Sequence, residues 1–171
     1  IYDELKNHKS IKHILARHEQ GAGHSAEGYA RSSGKPGVLL VTSGPGATNA
    51  SAGVHIAMQD STPLVLLVGQ VGRSMMDREA FQEIDYRRMF GEMTKWVAQI
   101  EDPMRIPEYI NRAFYTATSG RPGPVVLALP EDMLTEFADS PAINSYQKVQ
   151  PYPSPSDLET LQSLLNAANA P

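Results

Sequence analysis

The stretch VLLVTSGPGATNASAGVHIAMQDSTPLVLLVG, residues 38–69, decides the fold. Two continuously apolar runs, 38–42 and 64–69, bracket a segment of helical character at 47–59. Runs of this kind mark strands covered on both faces, and a helix between two of them predicts a parallel pair. Outward from this unit, IKHILA (11–16), WVAQI (96–100) and VVLAL (125–129) read as further strands. Residues 19–33, 81–90 and 106–118 read as helices. The alternation predicts an α/β fold: an open, mainly parallel sheet flanked by helices on both faces.

The bulk properties narrow the function class. A chain of 171 residues suits one domain with a sizeable core, and 41% hydrophobic with 20% charged residues is an ordinary globular balance. A formal charge of −4 offers no basic footprint, so nucleic acid is not an expected partner. No apolar run approaches the roughly 20 residues that span a bilayer, and no signal peptide is visible. Zero cysteines removes disulfides, thiolate metal sites and cysteine nucleophiles, and suits a cytoplasmic protein. IYDEL begins without an initiator Met, and a capping box from Ser156 to Glu159 opens a helix near the far end. Both features lead us to expect a piece of something longer. The expected organisation is a domain over 1–138, an extended proline-bearing linker over 139–156, and the first helix of a next domain over 157–171.

Sheets of this class bind ligands at the carboxyl ends of their strands. HEQGAG (18–23) follows the first expected strand and SGPG (43–46) the second, so the two turns line one crevice. Familiar motifs fail there on spacing. His18 and His24 are six apart, not the four of a zinc protease, and would face different ways. GHSAEG carries Glu27 where a nucleophile elbow needs glycine, and GKP is not a P-loop. SGPGATN lacks the third glycine of a dinucleotide fingerprint. By spacing alone, Glu19 is either an acid favoured by the helix macrodipole in a first turn or a site acid. SGPGATN is either a strand-to-helix turn or a ligand cradle. Gly21, Gly23 and Gly28 lie within one expected helix, where each costs about 1 kcal/mol, which predicts close approach of a sheet, a second helix or both.

Six segments together carry a resemblance. RHEQGAGHSAEGYARSSGKPGV, LVTSGPGATNA, TPLVLLVGQV, AFQE, TKW and ATSGRPGPVVLALPEDM resemble, in order and spacing, the N-terminal pyrimidine-binding domain of thiamine-diphosphate enzymes. Within that family they resemble acetolactate synthase (acetohydroxyacid synthase) large subunits. The resemblance covers roughly residues 2–135. It implies that Glu19 is the catalytic glutamate. A carboxyl group bonded to the aminopyrimidine ring nitrogen favours the imino tautomer that can take a proton from the thiazolium carbon. Such an acid is expected in a dry crevice, where its pKa can rise towards the working range.

By the same resemblance Pro45 and Asn49 lie beside the pyrimidine, Phe81 and Gln82 line the substrate side, with Gln82 also reaching the cofactor, and Arg121 holds FAD where a member carries it. The resemblance also implies Mg²⁺ at a Gly-Asp-Gly motif of another domain, and no such motif occurs in this chain. No metal ligands are therefore expected here. A homodimer or homotetramer with its active site between chains is expected. The implied activity is carboligation: decarboxylation of pyruvate and transfer of the two-carbon unit to a second 2-oxo acid. The alternatives are a decarboxylase or lyase acting on another 2-oxo acid or an acyl-CoA, and a non-catalytic dimerisation or flavin-binding module. The chain alone is expected to bind the cofactor weakly and turn over nothing. Departures from the family lie at GRSMMDREAFQE (72–83), which lacks the usual proline, and at Glu131 of LPED, where lysine is usual. A reversed charge at a channel mouth changes which anions enter.

Overall fold

The computed structural model describes residues 1–139 and 143–169. At its centre are four parallel strands, β1 (Gly37–Val41), β2 (Leu64–Gln70), β3 (Trp96–Gln99) and β4 (Pro124–Pro130), in the order β1-β2-β4-β3. Leu64 is in register with Gly37 on one side and Pro124 on the other. The helices are α1 (Tyr2–Asn7), α2 (Glu19–Ser33), α3 (Pro45–Gln59), α4 (Tyr86–Phe90), α5 (Ile106–Thr118) and α6 (Pro155–Ala167). The expected α/β architecture is the observed one.

Side chains alternate across the pleat and build two cores. Leu39, Val41, Leu64, Leu66 and Val68 face Ala47, Ala50, Val54 and Ala57 of α3. Val65, Val125, Leu127 and Leu129 face Ala113 and Ala117 of α5. Each fully buried Leu or Val contributes on the order of 1.5–3 kcal/mol. Helices therefore cover both sides of the sheet.

On the α2–α3 side the packing is backbone to backbone. A Cβ on Gly37 would lie 2.2 Å from the carbonyl oxygen of Ala26, and one on Gly53 would lie 2.8 Å from the carbonyl carbon of Gly23. Gly23 thus fulfils the expectation of close approach, meeting both α3 and Leu39 of the sheet. Gly21 and Gly28 face open space instead.

Several boundaries differ from expectation. Residues 11–16 form no strand, and Ile14 and Leu15 are exposed. An apolar run becomes a strand only when a neighbour accepts its ladder, and β1 keeps that edge unpaired. β1 is also covered on one face only: Val38 is 51% exposed, because α5 packs over β2 and β4 rather than over the edge. Helix α4 starts at Tyr86, not at residue 81, since Gln82 has a φ of 66° that no right-handed helix admits.

The last helix is capped by Ser154, whose hydroxyl accepts from the Asp157 N–H while Asp157 accepts from the Ser154 N–H. The expected box from Ser156 to Glu159 is displaced because Pro155 takes the first helical position, where no N–H is needed. Of the linker expected at 139–156, residues 140–142 lie outside the described residues. Part of the rest packs on α5: Asn111 Nδ2 donates to the Asn144 carbonyl at 2.7 Å, and Tyr146 stacks on Phe114 at 5.4 Å. Among the described residues, no helix is long and apolar enough to cross a membrane.

Candidate active site

Glu19 is the first residue of α2 and stands at the carboxyl edge of the sheet. His18 precedes it as N-cap, its Nδ1 accepting from the Gln20 N–H at 3.2 Å. Across from it, Asn49 Nδ2 of α3 donates to Glu19 Oε2 at 3.1 Å. The pair is set by helix packing. Gly23 and Gly53, which touch backbone to backbone, each lie one turn beyond Glu19 and Asn49. Pro45 sits one turn before Asn49, and both are exposed on the same side of α3.

Glu19 is half-exposed rather than enclosed. Its pKa is lowered, first by its own backbone N–H, then by the Asn49 amide, with partial desolvation opposing and His18 adding a small charge effect. This differs from the raised value expected in a dry crevice. The physical reason is plain: solvent reaches the carboxylate in this chain, so desolvation is outweighed by the two hydrogen bonds that favour the charged form.

The Gly-Pro-Gly turn is tied to its neighbours by a phenol. Tyr86, 2% exposed, accepts from the Gly44 N–H at 3.1 Å and donates to the Gly69 carbonyl at 3.0 Å. Burial pushes its pKa up, against the Gly44 bond, so the hydroxyl remains a donor. Gly44 has a φ of 53°, and a Cβ there would lie 2.7 Å from Gln82 Cβ. Glycine is required twice over, for the backbone conformation and for the room it leaves Gln82. Ser43 Oγ donates to Gln82 Oε1 at 3.2 Å. Phe81, on the same loop, is 87% exposed. At the end of β2, buried Gln70 donates to the Ile84 carbonyl at 2.8 Å and accepts from the Val71 N–H at 3.0 Å.

The structure therefore brings Glu19, Pro45, Asn49, Phe81 and Gln82 to one edge. Arg121 lies at the other, just before β4. Its Nε donates to Ser61 Oγ at 2.8 Å, and its Nη2 to the carbonyls of Met58 and Gln59 at 3.0 Å each, closing the end of α3. Two departures from the family pattern meet in space: a Cβ on Gly72 would lie 3.7 Å from Glu131 Oε1. Beside them Arg73 is engaged by Asp132 at 2.8 Å and by Glu136.

Sequence reasoning missed Tyr86, Gln70 and Glu83. The one available signal was Gln70, a polar residue ending an otherwise apolar strand. Among the described residues, no group of three or more His, Asp or Glu could hold a metal ion.

A carboxylate, a side-chain amide and a prolyl ring on one edge form a donor and acceptor set that fits a flat heterocycle with ring nitrogens. Comparison with known proteins gives the family. Residues 1–89 match the family described as "Thiamine pyrophosphate enzyme, N-terminal TPP binding domain". The chain belongs to this family. It is 50% identical over 148 residues to the acetolactate synthase large subunit of Lactococcus lactis, covering 84% of this chain and 26% of that protein. It is 48% identical over 141 residues to the mitochondrial acetolactate synthase catalytic subunit of Saccharomyces cerevisiae, covering 82% and 20%. The chloroplastic acetolactate synthase of Arabidopsis thaliana is 42% identical over an alignment of 177 residues, covering 100% of this chain and 26% of the relative. The chain thus spans about a quarter of the length of these relatives.

Proposed function

We propose that this chain forms the pyrimidine-side wall of a thiamine-diphosphate-dependent carboligase of acetolactate synthase type. The observation that carries the reading is the Glu19–Asn49 pair at the carboxyl edge of the sheet, in a chain of the family that binds this cofactor. Bound thiamine diphosphate would supply the acidic thiazolium carbon on which a 2-oxo acid loses carbon dioxide. Glu19 would hold a proton at its carboxyl oxygen against a pyrimidine ring nitrogen. Asn49 orients that carboxylate, and Pro45 supplies a rigid apolar contact. Phe81 and Gln82 would stand on the substrate side. The whole protein would act as a dimer or tetramer, a second chain closing the cleft, drying it and moving the pKa of Glu19 upward from its present lowered position. Mg²⁺ would be held with the diphosphate outside this chain. For FAD the support is the resemblance at Arg121, whose guanidinium also bonds the end of α3.

A second reading, a decarboxylase or lyase acting on another 2-oxo acid or an acyl-CoA, draws support from Gly72 and Glu131. Together they place an acid at the strand ends, beside an arginine already engaged by two carboxylates. The test uses the full-length protein with a panel of 2-oxo acids, comparing carbon dioxide release with coupled product. Carboligation from pyruvate that is lost in Glu19→Gln supports the leading reading. Carbon dioxide release without coupling supports the second. Unchanged turnover in Glu19→Gln refutes both.

A further inference from the structure

The loop that carries Phe81 and Gln82 is held by a carboxylate. Glu83 Oε1 accepts from the Asp77 N–H at 2.6 Å and Oε2 from the Ala80 N–H at 3.1 Å, with the Arg78 N–H contributing more weakly. The Glu83 N–H in turn donates to the Ala80 carbonyl at 3.0 Å, closing the turn. Backbone N–H groups that converge in this way form a nest for an anion, and here the chain supplies the anion itself.

The same segment is strained. Asp77, Glu79 and Gln82 have φ values of 60°, 55° and 66°, in the left-handed region that non-glycine residues seldom occupy. Such conformations persist only where the surroundings over-determine them, and they concentrate at functional sites. Gln82 is fixed on one side by Gly44 and Ser43 and on the other by the residue that follows it, Glu83. Without the carboxylate, the N–H groups of Asp77 and Ala80 would lose their acceptor and the loop its reason to hold three unfavourable dihedrals.

We propose that Glu83 is a positioning residue: its carboxylate clamps residues 77–82 in the strained form that presents Phe81 and Gln82 to substrate. This rests on the functional reading above, which places those two side chains at the substrate side. Its three N–H partners hold the Glu83 carboxyl below the usual carboxylate range, so it is charged at neutral pH.

The experiment uses the full-length protein, its Glu83→Gln, Glu83→Ala and Gln82→Ala variants, hydrogen exchange of a peptide spanning 77–82, and steady-state kinetics with pyruvate. Loss of a charge-assisted bond should speed exchange at the Asp77 and Ala80 amides by about tenfold or more in Glu83→Ala, and by less in Glu83→Gln. KM for pyruvate should rise in the same order, with kcat changed less and cofactor binding retained. Unchanged exchange in Glu83→Ala overturns the clamp. Faster exchange with an unchanged KM, while Gln82→Ala raises KM, overturns its role in presenting the site. An unchanged KM in Gln82→Ala counts against the functional reading, whereas exchange still decides whether Glu83 holds the loop. Where Glu83→Ala gives no folded protein, the near-isosteric Glu83→Gln decides by the same measurements.

Discussion

The two ends of the sheet are built on opposite principles. At the amino end, long cations close helices. Arg121 donates to the last carbonyls of α3, and half-buried Lys95 donates to the Ser119 carbonyl at 2.6 Å and to that of Thr116, closing α5. Burial lowers the pKa of Lys95, yet its ammonium finds acceptors that an open helix end provides. At the carboxyl end, by contrast, glycine, left-handed backbone and an internal carboxylate hold exposed polar groups in place. One end satisfies its own backbone. The other holds Glu19 and Asn49 half-open to solvent, where a ligand can reach them.

If that contrast is right, changes at the two ends should separate activity from stability. The largest effect is expected for Glu19→Gln in the full-length protein. Turnover should fall by about 10²–10⁴-fold, the usual contribution of a positioned acid or base, with little change in thermal midpoint. Next comes the packing of α2 against the first residue of β1, at the amino end. Gly37→Ala should cost about 3 kcal/mol or more in urea unfolding, because the new methyl meets the Ala26 backbone rather than a side chain that could move. At the amino end, Arg121→Ala should lower the thermal midpoint by about 2–4 °C, the shift expected for roughly 1 kcal/mol in a chain of this size. A large loss of flavin from the full-length protein in that variant, with an unchanged midpoint, would give Arg121 a ligand role in place of the structural one.

The smallest effect concerns protons. Glu19 has a depressed folded-state pKa, so its contribution to stability is present above its unfolded value and is lost as pH falls through the folded one. Asn49→Ala removes one of the two main causes of the depression. NMR titration should then find the Glu19 carboxyl moved back up towards the ordinary range, and the acid limb of the stability profile moved up with it.

Much of the frame was legible in the residues. The unbroken apolar runs at β2 and β4 gave buried strands because both are interior to the sheet, and α2 and α5 span the residues 19–33 and 106–118 read as helices. IKHILA shows the limit. Its composition suits a strand, but pairing is a property of two segments, and periodicity in one cannot supply the other. The site divided along the same line. Pro45 and Asn49 open the helix that follows β1, so their edge follows from strand order, whereas Glu19 follows no strand and reaches that edge through the packing of α2 on α3. Tyr86 and Glu83 act through backbone atoms far away in sequence or folded back upon themselves, and no spacing rule announces that. The conformation of Gln82 was hidden for the same reason, since a left-handed non-glycine residue is imposed by its neighbours and not by its own preference.

The meeting of Gly23 with Gly53 has a consequence for how the acid at residue 19 is tuned. The two missing side chains act as a spacer of zero thickness beneath a proton-holding group. A Cβ at Gly53, 2.8 Å from the Gly23 carbonyl carbon, would tilt one helix about the other like a lever, stretching the 3.1 Å contact a turn away. Drift at a buried glycine would then surface as a changed proton affinity, well before the fold itself gave way.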